Sequence, residues 1–372
     1  MSIYLDNAAA APCDPELTAV FQKYAAEFPG NQESAGWHGQ AAAKRIRQDS
    51  AELRAAWGLS GYGTVFGNTG TEVLATAAEG ISRGFHSGEI VTSTLEHPAL
   101  EKALERSCSK YGLKLIRCRA DRNGVCLDDL KSILSDRTAA VAFHQVQSET
   151  GGILDLPYVR RLMDQYAPKA MLLCDTMQSI GKIPLNIKEI RPDFFTLSGQ
   201  KIGAPGGAVL FCAEKYLRPI LALRSSDHFQ GRCPVPVLLT LLRAGIKAAQ
   251  TQPGNHARAL ELRSRLLEGL RKNGLDFPCT LPEETVSPFI IHLLTAPYQG
   301  AILTRALHQY EISTAPGSAC ESETPTGSRA LAAMGYSRKE AFCGLRISLW
   351  KHNTPEEMDI LAEKLAECVK NY

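Results

Sequence analysis

Lys201 closes the stretch Ser198-Gly199-Gln200-Lys201, which lies between two apolar runs, Phe194-Phe195-Thr196-Leu197 and Ala208-Val209-Leu210-Phe211. Runs of that kind, rich in aromatic and β-branched residues and punctuated by proline and glycine, read as buried strands. A lysine between two core strands sits near the interior. Desolvation there favours the neutral amine, and a neutral amine can form a Schiff base with an aldehyde. Lysines are mostly solvated, so one lysine decides nothing by itself. Asp175 stands at the end of another apolar strand, in Cys174-Asp175-Thr176-Met177-Gln178-Ser179. A helix N-cap is the plainer role for such an aspartate. At a strand end beside Lys201, it could instead hold a proton on a heterocyclic nitrogen.

That pairing is what pyridoxal phosphate chemistry requires. The amine holds the aldehyde, and the carboxylate keeps the pyridine nitrogen protonated so that the ring draws in electrons. Phe66-Gly67-Asn68-Thr69-Gly70-Thr71-Glu72 runs from a strand through small residues into a helix. The free amides and the dipole at a helix start make an anion site, to which Thr69 and Thr71 add hydroxyls. The stretch is neither a Walker loop nor a dinucleotide fingerprint, and an ordinary capped turn would look the same. Glu96-His97-Pro98 follows a further strand, where an imidazole could stack on a planar ring and carry protons or simply hydrogen-bond locally. Gly317-Ser318-Ala319-Cys320 opens a polar loop of small residues whose thiol could reach a site and carry sulfur away, or be incidental. Arg346, in the apolar run Leu345-Arg346-Ile347-Ser348-Leu349, needs a partner, either a substrate carboxylate or a structural anion.

The elements that would position these groups alternate strand with helix. Strands are expected near residues 64–66, 89–92, 113–116, 139–143, 171–174, 194–197 and 208–211, with helices at 71–83, 99–111 and 157–166 among them. The pattern predicts an α/β domain whose mainly parallel sheet binds its ligand at the carboxyl ends of the strands. Two helices, Val235 to Gln252 and Asn255 to Lys272, are expected to be interrupted at Pro253-Gly254 and to lead into a smaller C-terminal α+β domain. The expected boundaries are 14–252 for the large domain, with 1–13 and 253–372 forming the small one. At 372 residues the chain can bury two cores, and its formal net charge of +2 gives no argument for nucleic acid or an anionic membrane. The N-terminus reads as free of a secretory signal, and no apolar run is long enough for a membrane span. Eleven scattered cysteines, without metal-ligand spacing, fit a reducing cytoplasm and predict no metal.

The ordered motifs resemble the cysteine desulfurases, within the class V aminotransferase group of fold-type I pyridoxal phosphate enzymes. Tyr4-Leu5-Asp6-Asn7-Ala8-Ala9 is similar to that family's YLDNAAT start, Gly30-Asn31 to its GNPSS and Glu96-His97 to its EH. Asp175-Thr176-Met177-Gln178-Ser179-Ile180-Gly181-Lys182 resembles DATQSVGK. Ser198-Gly199-Gln200-Lys201 resembles SGHK, Gly317-Ser318-Ala319-Cys320 the GSAC of a persulfide loop, and Arg346-Ile347-Ser348-Leu349 the RxSL. The resemblance implies a seven-stranded sheet, a homodimer and pyridoxal 5'-phosphate as cofactor. Lys201 would bind its aldehyde, Asp175 its ring nitrogen and Gln178 its ring hydroxyl. His97 would stack on the ring and move protons, while Gly70, Thr71, Ser198 and Gln200 would hold the phosphate. Arg346, with Asn7 nearby, would take the carboxylate of L-cysteine, and Cys320 would attack the substrate sulfur, leaving alanine and a persulfide for a protein acceptor such as an iron–sulfur scaffold or a tRNA-thiolation protein. Departures from the pattern are specific. Gln147-Ser148 stands where the family has an asparagine at the ring hydroxyl, and Gln147 or Ser148 would take its place. Gln200 replaces a histidine at the phosphate. Gln230-Gly231-Arg232-Cys233-Pro234 lacks the threonine that would reach the neighbouring subunit's phosphate. Another class V activity (an aminotransferase, or a C–S or selenocysteine lyase) and a non-catalytic scaffold of the same fold are the competing readings.

Overall fold

The structure is a computed structural model that describes residues 2–224, 232–317 and 327–372. Its centre is a seven-stranded sheet in the order Tyr62–Gly67, Ala208–Ala213, Phe194–Ser198, Met171–Asp175, Thr138–His144, Glu89–Ser93 and Lys114–Cys118. Ala208–Ala213 runs antiparallel to both of its neighbours, whereas the remaining pairs are parallel. This is the mainly parallel α/β sheet expected from the alternation. Such sheets are covered on both faces, which is why Val141, Phe143, Leu172, Phe195 and Phe211 read as continuous apolar runs and have no exposure.

The shared strand direction sets up the site. Gly67, Ser93, His144, Asp175 and Ser198 are the last residues of their strands and reach the same edge of the sheet. The chain after each of them therefore converges on one place. Helices start close behind two of these strands. Thr69 caps Gly70–Arg83 by accepting from the Glu72 amide, and His97 caps Pro98–Tyr111 by accepting from the Ala99 amide.

The expected break at Pro253-Gly254 is not there. One helix of 38 residues, Val235–Lys272, passes through both. Proline inside a helix costs about 3 kcal/mol. Here that cost is set against apolar packing on both sides of it, through Leu238, Leu239, Leu242 and Ile246 before Pro253 and through Leu262, Leu266 and Leu270 after it. Each buried leucine or isoleucine contributes about 1.5–3 kcal/mol, so packing decides. Beyond the helix, strands Ile290–Leu294 and Gly344–Ser348 pair antiparallel and the helix Pro355–Lys370 starts at a Thr354–Glu357 capping box. The first strand of the chain, Ile3–Tyr4, pairs with Ile312–Ser313. No helix among the described residues is long and apolar enough to cross a membrane.

Candidate active site

The loops at the carboxyl edge enclose a cavity of about 330 Å³, lined among others by Gly70, Thr71, His97, His144, Ser148, Asp175, Gln178, Ser198, Gln200, Lys201 and Arg346. Ten of the twelve residues expected at the site thus share one wall. Cys320 lies outside the described residues. Asn7 is the exception in geometry: its side-chain amide donates to the carbonyls of Ser348 at 2.7 Å and Tyr4 at 3.3 Å and is buried away from the cavity. Asn7, expected near the substrate carboxylate, is held by these carbonyls and does not line the cavity. Its neighbours Ala8 and Ala9 line the cavity in its place.

Lys201 ends a single 3-10 turn, Gly199–Lys201, directly after the strand Phe194–Ser198. Only glycine fits at the first position of that turn, because a Cβ on Gly199 would come within 2.1 Å of the Gly206 carbonyl oxygen. The Lys201 amine donates to the carbonyls of Ala8 at 2.6 Å and Ala9 at 2.5 Å. The N-terminal segment therefore orients the amine. Across the cavity wall, Asp175 is buried and its Oδ1 accepts from the Met177 amide at 3.1 Å and the Thr196 hydroxyl at 3.0 Å. Those two bonds fix the carboxylate plane and leave Oδ2 for the cavity. The local turn bond that a cap would make is present, so Asp175 fills its plain structural role and faces the cavity as well.

At the start of Gly70–Arg83, no acceptor among the described residues reaches the Gly70 or Thr71 amide. Orphan amides with a helix dipole behind them are the anion cradle that the small residues foreshadowed. His97 accepts from the Ala99 amide at Nδ1, 3.1 Å away, so its neutral ring carries the hydrogen on Nε2. Gln147 is spent in a turn, its Oε1 accepting from the Glu149 and Thr150 amides at 2.7 Å each. Ser148 is the residue of that pair that lines the cavity. Arg346 has the structural anion that one of its sequence readings called for. Its guanidinium pairs with Asp6 at 2.7 Å and donates to the Ser148 carbonyl at 2.9 Å, while its buried Nε has no hydrogen-bond partner among the described residues.

Three further groups were not singled out from the sequence: His144 lines the cavity, and Lys182 and Asp6 each contact a residue that does. His144 hydrogen-bonds Glu96 at 2.9 Å, and Glu96 also accepts from the His144 amide and the Ser93 hydroxyl. Burial works against a charge on His144, but the Glu96 carboxylate and then Asp175 hold its pKa above the ordinary imidazole value. Its signal in the sequence was its place as the last residue of a core strand, in register with Asp175. Lys182 is 1% exposed, and its amine donates to Gln178 Oε1 at 2.9 Å. Burial, then the charges of Lys201 and Arg346, push its pKa down to about 7. Asp6 is the third, and only its pairing with Arg346 makes it part of the site.

The aminotransferase class-V family model matches residues 3–361. The chain is 27% identical to a cysteine desulfurase of Mus musculus over 381 residues, covering 99% of this chain and 81% of the relative. It is 27% identical to one of Trichormus azollae, covering 99% and 93%. Among solved structures, a NifS-like protein aligns over 100% of both chains with TM-score 0.89 and 25% identity. A cysteine desulfurase of Thermococcus onnurineus solved in its apo form shares the fold at TM-score 0.83 and 20% identity, over 100% of this chain and 95% of the other. These likenesses bear out the fold-type I architecture implied by the motifs. Class V enzymes depend on pyridoxal phosphate in general. With the match running from the first strand into the last helix, the chain belongs to the class-V aminotransferase family.

Proposed function

We propose that the chain is a pyridoxal 5'-phosphate-dependent cysteine desulfurase, which takes sulfur from L-cysteine, releases L-alanine and holds the sulfur as a persulfide on Cys320. The observation that carries this reading is the meeting of Lys201, Asp175, Gln178, His97 and the open helix start at Gly70–Thr71 around one cavity. Each of these supplies what one part of the cofactor needs: an amine, an oriented carboxylate, an amide donor, an imidazole and orphan backbone amides. When bound, the cofactor supplies an aldehyde and an electron-withdrawing ring.

The protein's own residues do the rest. Lys201 holds the aldehyde, and Asp175 keeps a proton on the ring nitrogen. Gly70 and Thr71, with the Ser198 hydroxyl and the Gln200 amide, bind the phosphate. His97 delivers and recovers protons at Nε2. Arg346, with Nε unpartnered and Nη2 on Asp6, takes the substrate carboxylate. The Cys320 thiolate attacks the substrate sulfur. The bond from that sulfur to the β-carbon breaks with its electron pair going to carbon, which takes a proton to complete alanine, and the new S–S bond is the persulfide.

The rest of the reading concerns the setting. The division into residues 14–252 and residues 1–13 with 253–372 is part of the proposal, supported by a core cluster that joins Ile3 and Leu5 to Leu262, Ile291, Ile347 and Leu361. So are a homodimer, a protein sulfur acceptor and a cytoplasmic location, the last supported by ten described cysteines that are all free thiols. The test is incubation with L-cysteine and a reductant. Alanine and sulfide in equal amounts support desulfuration, whereas pyruvate with ammonia would make the protein a β-lyase. Cys320→Ala should keep the visible absorption of the loaded protein and lose alanine formation; retained activity would remove the persulfide step. Purified protein that neither shows nor takes up that absorption would leave the scaffold reading.

A further inference from the structure

Lys182 is an expensive residue in its position. Its side chain is buried beneath the Trp350 ring, with the amine 5.6 Å from the ring centroid. Its own carbonyl accepts from Gln252 of the long helix at 3.2 Å. Among the described residues no carboxylate lies within ion-pair distance of its amine, and Gln178 Oε1 is the only acceptor that the amine reaches. An ammonium group buried with a single hydrogen bond is far less favourable than a methionine or leucine in the same volume. The one polar contact it makes is where its use must be sought.

Gln178 has a second partner, the Ala8 carbonyl, which accepts from its side-chain nitrogen at 2.8 Å. A carbonyl can only accept, so Ala8 holds the amide with its nitrogen toward Ala8 and its oxygen toward the Lys182 amine, which donates to it whether charged or neutral. Flipping it would set acceptor against acceptor at Ala8. The Ala8 carbonyl, however, is shared, because the Lys201 amine also donates to it at 2.6 Å. A chain of hydrogen bonds therefore runs from Lys182 through Gln178 and Ala8 to Lys201. Its Ala8 end changes whenever the Lys201 amine moves, and its Lys182 end does not.

We propose that Lys182 is a positioning residue that holds the Gln178 amide with its carbonyl turned away from the cavity and one N–H left to donate to the oxygen of a ring bound there. This rests on the reading that the cavity takes pyridoxal phosphate. Beyond orienting the amide, a donor on its oxygen polarises it and makes its N–H groups stronger donors.

The experiment reads the pH midpoint of the visible absorption band of the cofactor-loaded protein, with no substrate and no turnover. A donor to the ring oxygen stabilises its deprotonated form, so losing that donor raises the midpoint. Gln178→Leu should shift it upward, and Lys182→Met should shift it the same way, by about 0.5–1 pH unit. In the double variant, Lys182→Met should add nothing to Gln178→Leu. Lys182→Arg, which keeps a cationic donor, should restore most of the parent value. An unchanged midpoint in Lys182→Met would overturn the proposal. So would a shift of equal size in the Gln178→Leu background, which would mean that Lys182 acts only as a distant charge. Should Lys182→Met not accumulate as folded protein, Lys182→Gln, shorter and neutral, carries the same expectation. A parent protein that shows no such band overturns the cofactor reading and this inference with it, whereas a band with an unmoved midpoint overturns this inference alone.

Discussion

Two buried basic groups at and behind the cavity, His144 and Lys182, make opposite demands on stability. Lys182 has a folded-state pKa of about 7, well below the roughly 10.4 of an unfolded chain. The unfolded state therefore holds more protons between these values, and stability rises with pH across that window. The cost of burying the charge is fully present below about pH 7 and is gone above about pH 10. Lys182→Met should raise urea-unfolding stability at pH 6.5 by on the order of 3 kcal/mol, with the gap closing as pH approaches 10. His144 behaves in the reverse sense. Its folded pKa lies above the ordinary value because of Glu96, so its pairing stabilises fully below about pH 6.5 and fades as pH rises through the folded value. Glu96→Gln should cost about 1–3 kcal/mol at pH 6 and less at pH 9, as read from denaturation midpoints. Gly199→Ala is a steric test. The Cβ would meet the Gly206 carbonyl at 2.1 Å, and a loss of about 1–3 kcal/mol is expected together with weakened cofactor retention.

At the scale of elements, the helix Val235–Lys272 carries two residues that local propensity argues against. Gly254 lies in its interior, and a methyl group added there would have no neighbour within 4 Å. Gly254→Ala should therefore add about 0.5–1 kcal/mol, seen as a higher melting temperature. The same helix shows why part of the fold was not legible. Pro253 and Gly254 are strong local punctuation, and nothing nearby in sequence reveals that both halves of the stripe bury against different cores. The strands of the main sheet were legible because a doubly covered strand is apolar throughout, and short runs such as Ala139 to Phe143 have little else to become. The site was legible where its residues end such strands: Asp175, Lys201, and the turn at Gly70. It was not legible where the partner is distant in the chain. Glu96 meets His144 across 48 positions, and Asp6 meets Arg346 across 340. Neither pairing has a periodicity to betray it. The partners of Asn7 were hidden for a related reason. A motif fixes which residue is present, but the direction of its side chain depends on the Ser348 carbonyl that captures it.

For the molecule as a whole, residues 3–9 tie the N-terminal segment to the cavity and its lysine. Ile3 pairs with Ile312, the Ser348 amide donates to the Leu5 carbonyl, and Asp6 holds Arg346. The carbonyls of Ala8 and Ala9 then anchor Lys201. Removal of residues 2–9 should abolish cofactor retention, measured as visible absorbance per chain after gel filtration, while far-UV circular dichroism keeps most of its helical signal because the sheet and its helices lie elsewhere. The same pairing has a consequence for biosynthesis. Leu5 leaves the ribosome early, yet it can be locked in place only after Ser348, 343 positions later, has followed it out. Until then the lysine has no fixed acceptors. Cofactor capture is therefore set late in translation, and a nascent chain stalled before Gly344 should remain colourless.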